Sequence, residues 1–167
     1  VRLLDVDPYS PVGIDEKTIH FMDILLLYCL LTTSPEHDDA LCRAVEDNMR
    51  AVVTHGRGNV SLNNDGKQVP LTTWATTVIA DLMELAQELD NLMGNSHYQD
   101  AIAAQKLKVL DSQLTPSARM LNMIGEGSFL SFALGRAAEH RDYFNSQPMD
   151  REQFAHFQML ASQSAAS

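Results

Sequence analysis

A mainly α-helical chain with a single strand at its N-terminus is what this sequence predicts. Three observations carry that reading. Apolar residues recur three and four apart through most of the 167 residues, the spacing of a helix face turned to a core. Residues 1–6 (Val-Arg-Leu-Leu-Asp-Val) instead read as a strand with alternating exposure and stop at Asp7-Pro8. Between them, Asp, Thr, Pro and Gly fall where helices start and stop, dividing the remainder into five to seven helical segments.

After the strand, Pro8 and Pro11 impose an extended connection and Gly13 frees the backbone ahead of a helix. Asp15 is the expected N-cap, with Glu16 and Thr18 in the first turn. The helix that follows, to about Leu31, is apolar on nearly every face, which predicts burial from several sides. A second helix from about His37 to His55 presents Leu41, Val45, Met49 and Val52 at helical spacing and ends at Gly56-Arg57-Gly58. A hairpin-like element is expected between Asn59 and Pro70, turning at Asn64-Asp65-Gly66. Trp74, Val78, Leu82, Leu85, Leu89 and Leu92 then form the clearest stripe, opposed by Asp81, Glu84 and Glu88 and closed by Gly94-Asn95.

The next helix is expected over about His97 to Leu110. Thr115 and Pro116 supply an N-cap and a first helical residue for another, which Gly125-Glu126-Gly127 interrupts. A helix over about Ser128 to Asn145 and a last one starting near Pro148-Met149-Asp150 complete the count. The domain reading is one helical portion over 1–167: strand at 1–8, helices over 14–163, frayed tail at 164–167. A single strand leaves its backbone groups unpaired unless it joins a sheet. With no initiator Met before Val1 as well, the sequence reads as a piece of a longer chain.

Twenty-two acidic against twelve basic residues give a net charge of -10. Nucleic-acid binding needs a concentrated basic surface, and no Lys/Arg cluster is present. The longest apolar run, residues 24–31, is far short of the ~20 residues that cross a membrane. No leader pattern is visible, and Cys29 and Cys42 form no C-x-x-C pair, so buried thiols are the favoured reading and a disulfide the minor one. These features favour the cytoplasm and neither a nucleic-acid nor a membrane partner.

Candidate chemistry is sparse. Glu36-His37-Asp38-Asp39 is the densest set of metal-ligand types, but consecutive residues at a helix start diverge, and their acidity complements the helix dipole. Gly125-x-Gly127 lacks the strand and the Lys-Ser/Thr of a phosphate loop. Histidines 20, 55, 97, 140 and 156 lack H-x-x-x-H or H-E-x-x-H spacing, so most read as surface or packing residues. Trp74 and its leucines read as core. Arg2 stands apart: on a strand beside Asp5, before a proline-stiffened exit, it can aim a bidentate donor at whatever the sheet faces.

Residues 1–15, Val-Arg-Leu-Leu-Asp-Val-Asp-Pro-Tyr-Ser-Pro-Val-Gly-Ile-Asp, resemble a signature of the proteobacterial-type glutamate–cysteine ligases, Glu-x-Arg-x-Leu-Asp-x-Asn/Asp-Pro-[Phe/Tyr]-Ser-Pro-x-Gly-[Ile/Val]-Asp. The likeness continues through Phe21-Met22-Asp23, the Gly56-Arg57 break, Gln68-Val69-Pro70-Leu71 and Leu114-Thr115-Pro116-Ser117-Ala118-Arg119.

The resemblance implies a C-terminal portion of an α+β, glutamine synthetase-like parent fold. It implies an enzyme joining the glutamate γ-carboxylate to cysteine with ATP and magnesium through an acyl phosphate, in the first step of glutathione biosynthesis. It implies that Arg2 is the catalytic residue that contacts the transferred phosphate of ATP. The motif's metal-binding glutamate would precede Val1, so no metal ligand is carried onto this chain, and the fragment alone is expected to be inactive. Asp5 and Asp7 are expected to shape the strand exit. The alternative from another class is a free-standing, non-catalytic helical interaction module.

Overall fold

In the computed structural model, which describes residues 4–34, 36 and 38–165, the helix starts fall where short polar side chains can take up the free N–H groups of a first turn. Asp15 caps α1 (Glu16–Leu31), accepting from the N–H of Thr18 at 2.7 Å. Asp38 does the same for α2 (Asp39–His55) through Leu41 at 2.7 Å. Thr115 caps α5 (Pro116–Ile124), with Pro116 in the first turn, and Ser128 caps α6 (Phe129–Ser146). Asp150 and Gln153 form a reciprocal box ahead of α7 (Arg151–Ala165): Gln153 N–H donates to Asp150 Oδ1 at 2.8 Å, and Asp150 N–H to Gln153 Oε1 at 3.2 Å.

The hairpin forms as expected, with β1 (Ser61–Asn64) antiparallel to β2 (Lys67–Pro70) and Asn64 opposite Lys67. Asp65 and Gly66 both take positive φ, 51° and 77°, the two-residue turn whose twist suits adjoining strands. Asn48 on α2 extends the ladder sideways. Its amide donates to the Asn63 carbonyl and its oxygen accepts the Asn63 N–H, both at 2.8 Å. β2 runs directly into α3 (Leu71–Met93), which ends at Gly94 in the left-handed conformation, φ 69°. Next come α4 (His97–Leu110) and a 3-10 turn, Ser112–Leu114.

The core is the meeting of α1, α3 and α4. Ile24, Ile79, Leu82, Ala86 and Ile102 are buried together, with Phe21, Leu25, Val78 and Leu89 against them. α1 departs from expectation. Ile24 is its one fully buried residue among those described, while Leu26, Leu30 and Leu31 stay 48%, 79% and 66% exposed. α3 and α4 cover one side of α1, and an all-round apolar helix then shows its other faces to solvent. Cys29 lies on an exposed face and Cys42 is half-buried, with no disulfide at either.

Two further expectations change. Of the strand expected over 1–8, positions 1–3 lie outside the described residues, and residues 4–7 are irregular chain. The only sheet among the described residues is the hairpin, so residues 4–7 have no neighbour to pair with. At the other end α7 runs through Ala165, into the stretch expected to fray from 164. The Ser162 hydroxyl donates to the Gln158 carbonyl within that helix. α7 buries none of its described residues.

Candidate functional site

The chain leaving the N-terminal segment folds into a tight loop over residues 7–14. Asp7 N–H donates to the Gly13 carbonyl at 2.8 Å and closes it, while Gly13 N–H donates to Ser10 at 2.9 Å. Asp7 Oδ1 accepts the N–H of Tyr9 at 2.9 Å, and the Ser10 hydroxyl donates to the Ile14 carbonyl at 2.7 Å. The loop needs glycine at 13. Its φ is 77°, and a Cβ there would lie 3.0 Å from Val6 Cγ1. Asp7 therefore shapes the exit from the N-terminal segment, the part assigned to it from sequence. Asp5 is exposed.

Tyr9 fastens this loop to the helices. Its ring meets Phe132 of α6 edge-on at 6.5 Å, and the Arg119 guanidinium of α5 lies over the ring face, 4.1 Å from its centroid. The rings' quadrupoles favour both arrangements. Beside the loop lies a cleft of about 560 Å³ whose walls include Asp7, Pro11, Met120, Phe132, Arg136 and His140. Arg136 pairs with Glu139 one turn on. Tyr9 Oη and His140 Nε2 are buried without hydrogen-bond partners. Of these two residues, His140 lines the cleft, where an unpartnered buried nitrogen suits a site that meets a polar group from elsewhere.

At the base of the loop Asp15 stays ionised below its ordinary range. The Thr18 side chain and N–H hold it there with help from Lys108 and Lys17, against a smaller opposing effect of burial. Below the loop, Glu16, His20 and His97 come together, although the sequence spacing of the histidines had set them among surface and packing residues.

Arg2, the catalytic residue implied by the resemblance, lies outside the described residues, as does His37 of the acidic run. Asp38 of that run is a helix cap and Glu36 is exposed, so no ion site is built from them among the described residues. Gly125, at φ 52°, ends α5 and gives a helix break. Trp74 is half-buried and lines a second, apolar cavity of about 700 Å³ with Phe21, Leu25, Val78 and Val109. The contact between Tyr9 and Arg119 is one that sequence spacing does not reveal. Both belong to segments that carried the resemblance, so a signal was present.

The fold and loop define a class: a mainly α-helical chain whose N-terminal loop is held against α5 and α6 by Tyr9. Comparison with known proteins shows what the chain is similar to. The family model for glutamate-cysteine ligase matches residues 1–52. Glutamate–cysteine ligases of Pseudomonas putida (strain W619) and Pseudomonas aeruginosa (strain LESB58) are each 38% identical over 99% of this chain, which covers 32% of either relative. A crystal structure of the glutamate–cysteine ligase of Francisella tularensis in complex with AMP superposes with a TM-score of 0.89 at 28% identity, over 99% of this chain and 33% of that one. The chain spans about a third of the length of the curated relatives it matches. It is homologous, nearly end to end, to one portion of the glutamate–cysteine ligases, as the motif over residues 1–15 implied. Its mainly helical fold is the one that the spacing of its apolar residues predicted. No described helix is long and apolar enough to cross a membrane.

Proposed function

We propose that this chain is the helical C-terminal portion of an ATP-dependent glutamate–cysteine ligase, holding the segment that bears Arg2 against the rest of the catalytic centre. The observation that carries this reading is the match over 99% of the chain at 38% identity, with the Arg2 motif inside the stretch matched by the family model. The AMP bound by the Francisella tularensis relative supports a nucleotide as co-substrate, and magnesium is the cation the family resemblance supplies. The setting proposed is the cytoplasm, and the substrates are glutamate and cysteine.

In the reaction proposed, a γ-carboxylate oxygen of glutamate attacks the terminal phosphorus of ATP and ADP leaves. The cysteine amine then attacks the acyl phosphate, forming the amide and releasing phosphate and a proton. Arg2 supplies a planar, permanently charged donor to the phosphoryl oxygens as charge builds on them. Bound magnesium would neutralise phosphate charge, held by carboxylates that the resemblance places outside residues 1–167. The loop over residues 7–14, pinned by Tyr9, fixes the exit of the Arg2 segment. Small displacements of a charged donor are costly in such chemistry.

The test is ATP-dependent γ-glutamylcysteine formation by the full-length protein, with and without Arg2→Ala. Severe loss of turnover with an intact fold is expected. Near-normal turnover of the variant removes the Arg2 assignment, and no ligase activity in the full-length protein removes the reading. Turnover by residues 1–167 alone would contradict the placement of the metal carboxylates elsewhere.

A further inference from the structure

Three residues converge where α1 and α4 begin. Glu16 and His20 stand one turn apart on α1, and His97 is the first residue of α4. Each can offer one ligand atom, and the three atoms lie within 4.8 Å of one another. His20 Nε2 is 3.5 Å from Glu16 Oε1, and His97 Nδ1 is 4.0 Å from the same oxygen. The two imidazoles are stacked, centroids 5.4 Å apart and planes 11° from parallel. The edge-on ring of Tyr98, 5.0 Å away, steadies His20.

The convergence is built on the core. Ile24 of α1 and Ile102 of α4 are both fully buried in the cluster that joins the helices, so the ligand-bearing turns are held face to face. His20 is the fixed member, its side chain 22% exposed, while those of Glu16 and His97 are 72% and 54% exposed and can adjust. His20 Nδ1 is buried with no hydrogen-bond partner. Its Nε2 faces the Glu16 carboxylate.

The dimensions suit a small ion of borderline softness. Bonds of about 2.0–2.1 Å in a tetrahedron place ligand atoms roughly 3.4 Å apart, so the observed 3.5 and 4.0 Å need to close by about 0.1 and 0.6 Å. The two histidine nitrogens, within 4.8 Å of each other, need to close by at most about 1.4 Å, which the exposed Glu16 and His97 side chains can supply. Two imidazoles and one carboxylate favour zinc and its first-row neighbours, whereas magnesium and calcium take oxygen ligands. A helix N-terminus ordinarily repels a cation. Here Asp15 caps α1 and the carboxylate of Asp90 accepts from the first-turn N–H groups of α4. With Glu16, the charge around the cluster is set in favour of a cation.

We propose that Glu16, His20 and His97 form a binding site for a divalent transition-metal ion of the zinc class, which clips the start of α1 to the start of α4 beneath the N-terminal loop. Three protein ligands leave one position for water. The site stands on this chain's own described residues.

The test strips the full-length protein of metal with a chelator and titrates it calorimetrically with zinc chloride alone, alongside His97→Gln, Glu16→Gln and the double variant His20→Gln/His97→Gln. Helix content and melting temperature of the metal-free variants check the fold. The expected result is a one-to-one zinc event that each single substitution weakens at least about tenfold and the double substitution abolishes. Cobalt substitution is expected to give a visible absorption of tetrahedral intensity that the double variant lacks. Absence of zinc binding at micromolar concentration overturns the proposal. So does an event of unchanged affinity and stoichiometry in the folded double variant.

Discussion

Asp90 of α3 caps a helix to which it does not belong: its carboxylate accepts the N–H of Gln99 in α4 at 2.9 Å. It also accepts the Tyr98 N–H and the Gln99 side-chain amide, both at 3.1 Å. Ser96, the residue at the cap position of α4, makes no side-chain cap bond. Asp90 is 1% exposed, the one charged residue in the described core. Burial pushes its carboxyl up, but the hydrogen bonds from Gln99 and Tyr98, together with His97, outweigh that and hold it below the ordinary value.

Asp90→Ala is therefore expected to leave first-turn N–H groups of α4 buried and unpaired, destabilising the protein by about 3 kcal/mol. Urea unfolding measures this directly. A loss under roughly 0.5 kcal/mol would show that water replaces the carboxylate without cost.

The same residue sets a pH dependence. A carboxyl whose folded-state pKa is depressed stabilises the fold fully above its unfolded value, about 3.9, and loses that contribution as pH falls through the lower folded value. The stability gap between the parent and Asp90→Asn should be flat near neutrality and shrink below about pH 4. A gap that widens on acidification contradicts the assignment.

Gly13→Ala forces a side chain into a left-handed backbone and against Val6 Cγ1. The expected cost is about 1–2 kcal/mol, with the loop over residues 7–14 cut faster by protease. In the full-length ligase the proposed function adds reduced turnover. Unchanged stability and protease resistance would mean that the loop relaxes without strain.

Tyr9 and Arg119 are expected to couple. A double-mutant cycle of Tyr9→Leu and Arg119→Gln should give an interaction of about 0.5–1 kcal/mol, the range for an exposed cation over an aromatic face. Strict additivity removes the stacking from the account of how the loop is held.

Asn48→Ala should cost about 1–3 kcal/mol, because the Asn63 N–H and carbonyl both lose the amide that joins the hairpin to α2. Asn48→Asp, which keeps the acceptor and loses the donor, should fall between the two in a thermal melt. If it equals the parent, only the Asn63 N–H bond matters.

Much of this molecule could be read from its residues in order. Asp15, Thr115 with Pro116, Gly94 and Gly125 mark their helix ends because a cap acts within three or four residues of itself. Asp65-Gly66 marks the hairpin because both positions need a positive φ. The start of α4 at His97 was legible, but its real cap was not, since Asp90 lies on the preceding helix. The apolar surface of α1 could be seen, yet not which side α3 and α4 would cover.

The sequence by itself determined the helical class, most helix starts and the likeness carried by residues 1–15, all properties of neighbours along the chain. Only the tertiary structure decided that Tyr9 meets Arg119, that Asp90 serves α4, and that Glu16 and His20 face His97. These pairings bridge 8 to 110 positions of sequence through the packing of buried residues such as Ile24, Leu82 and Ile102. Packing sets which helix faces meet, and no periodicity along one helix contains that information.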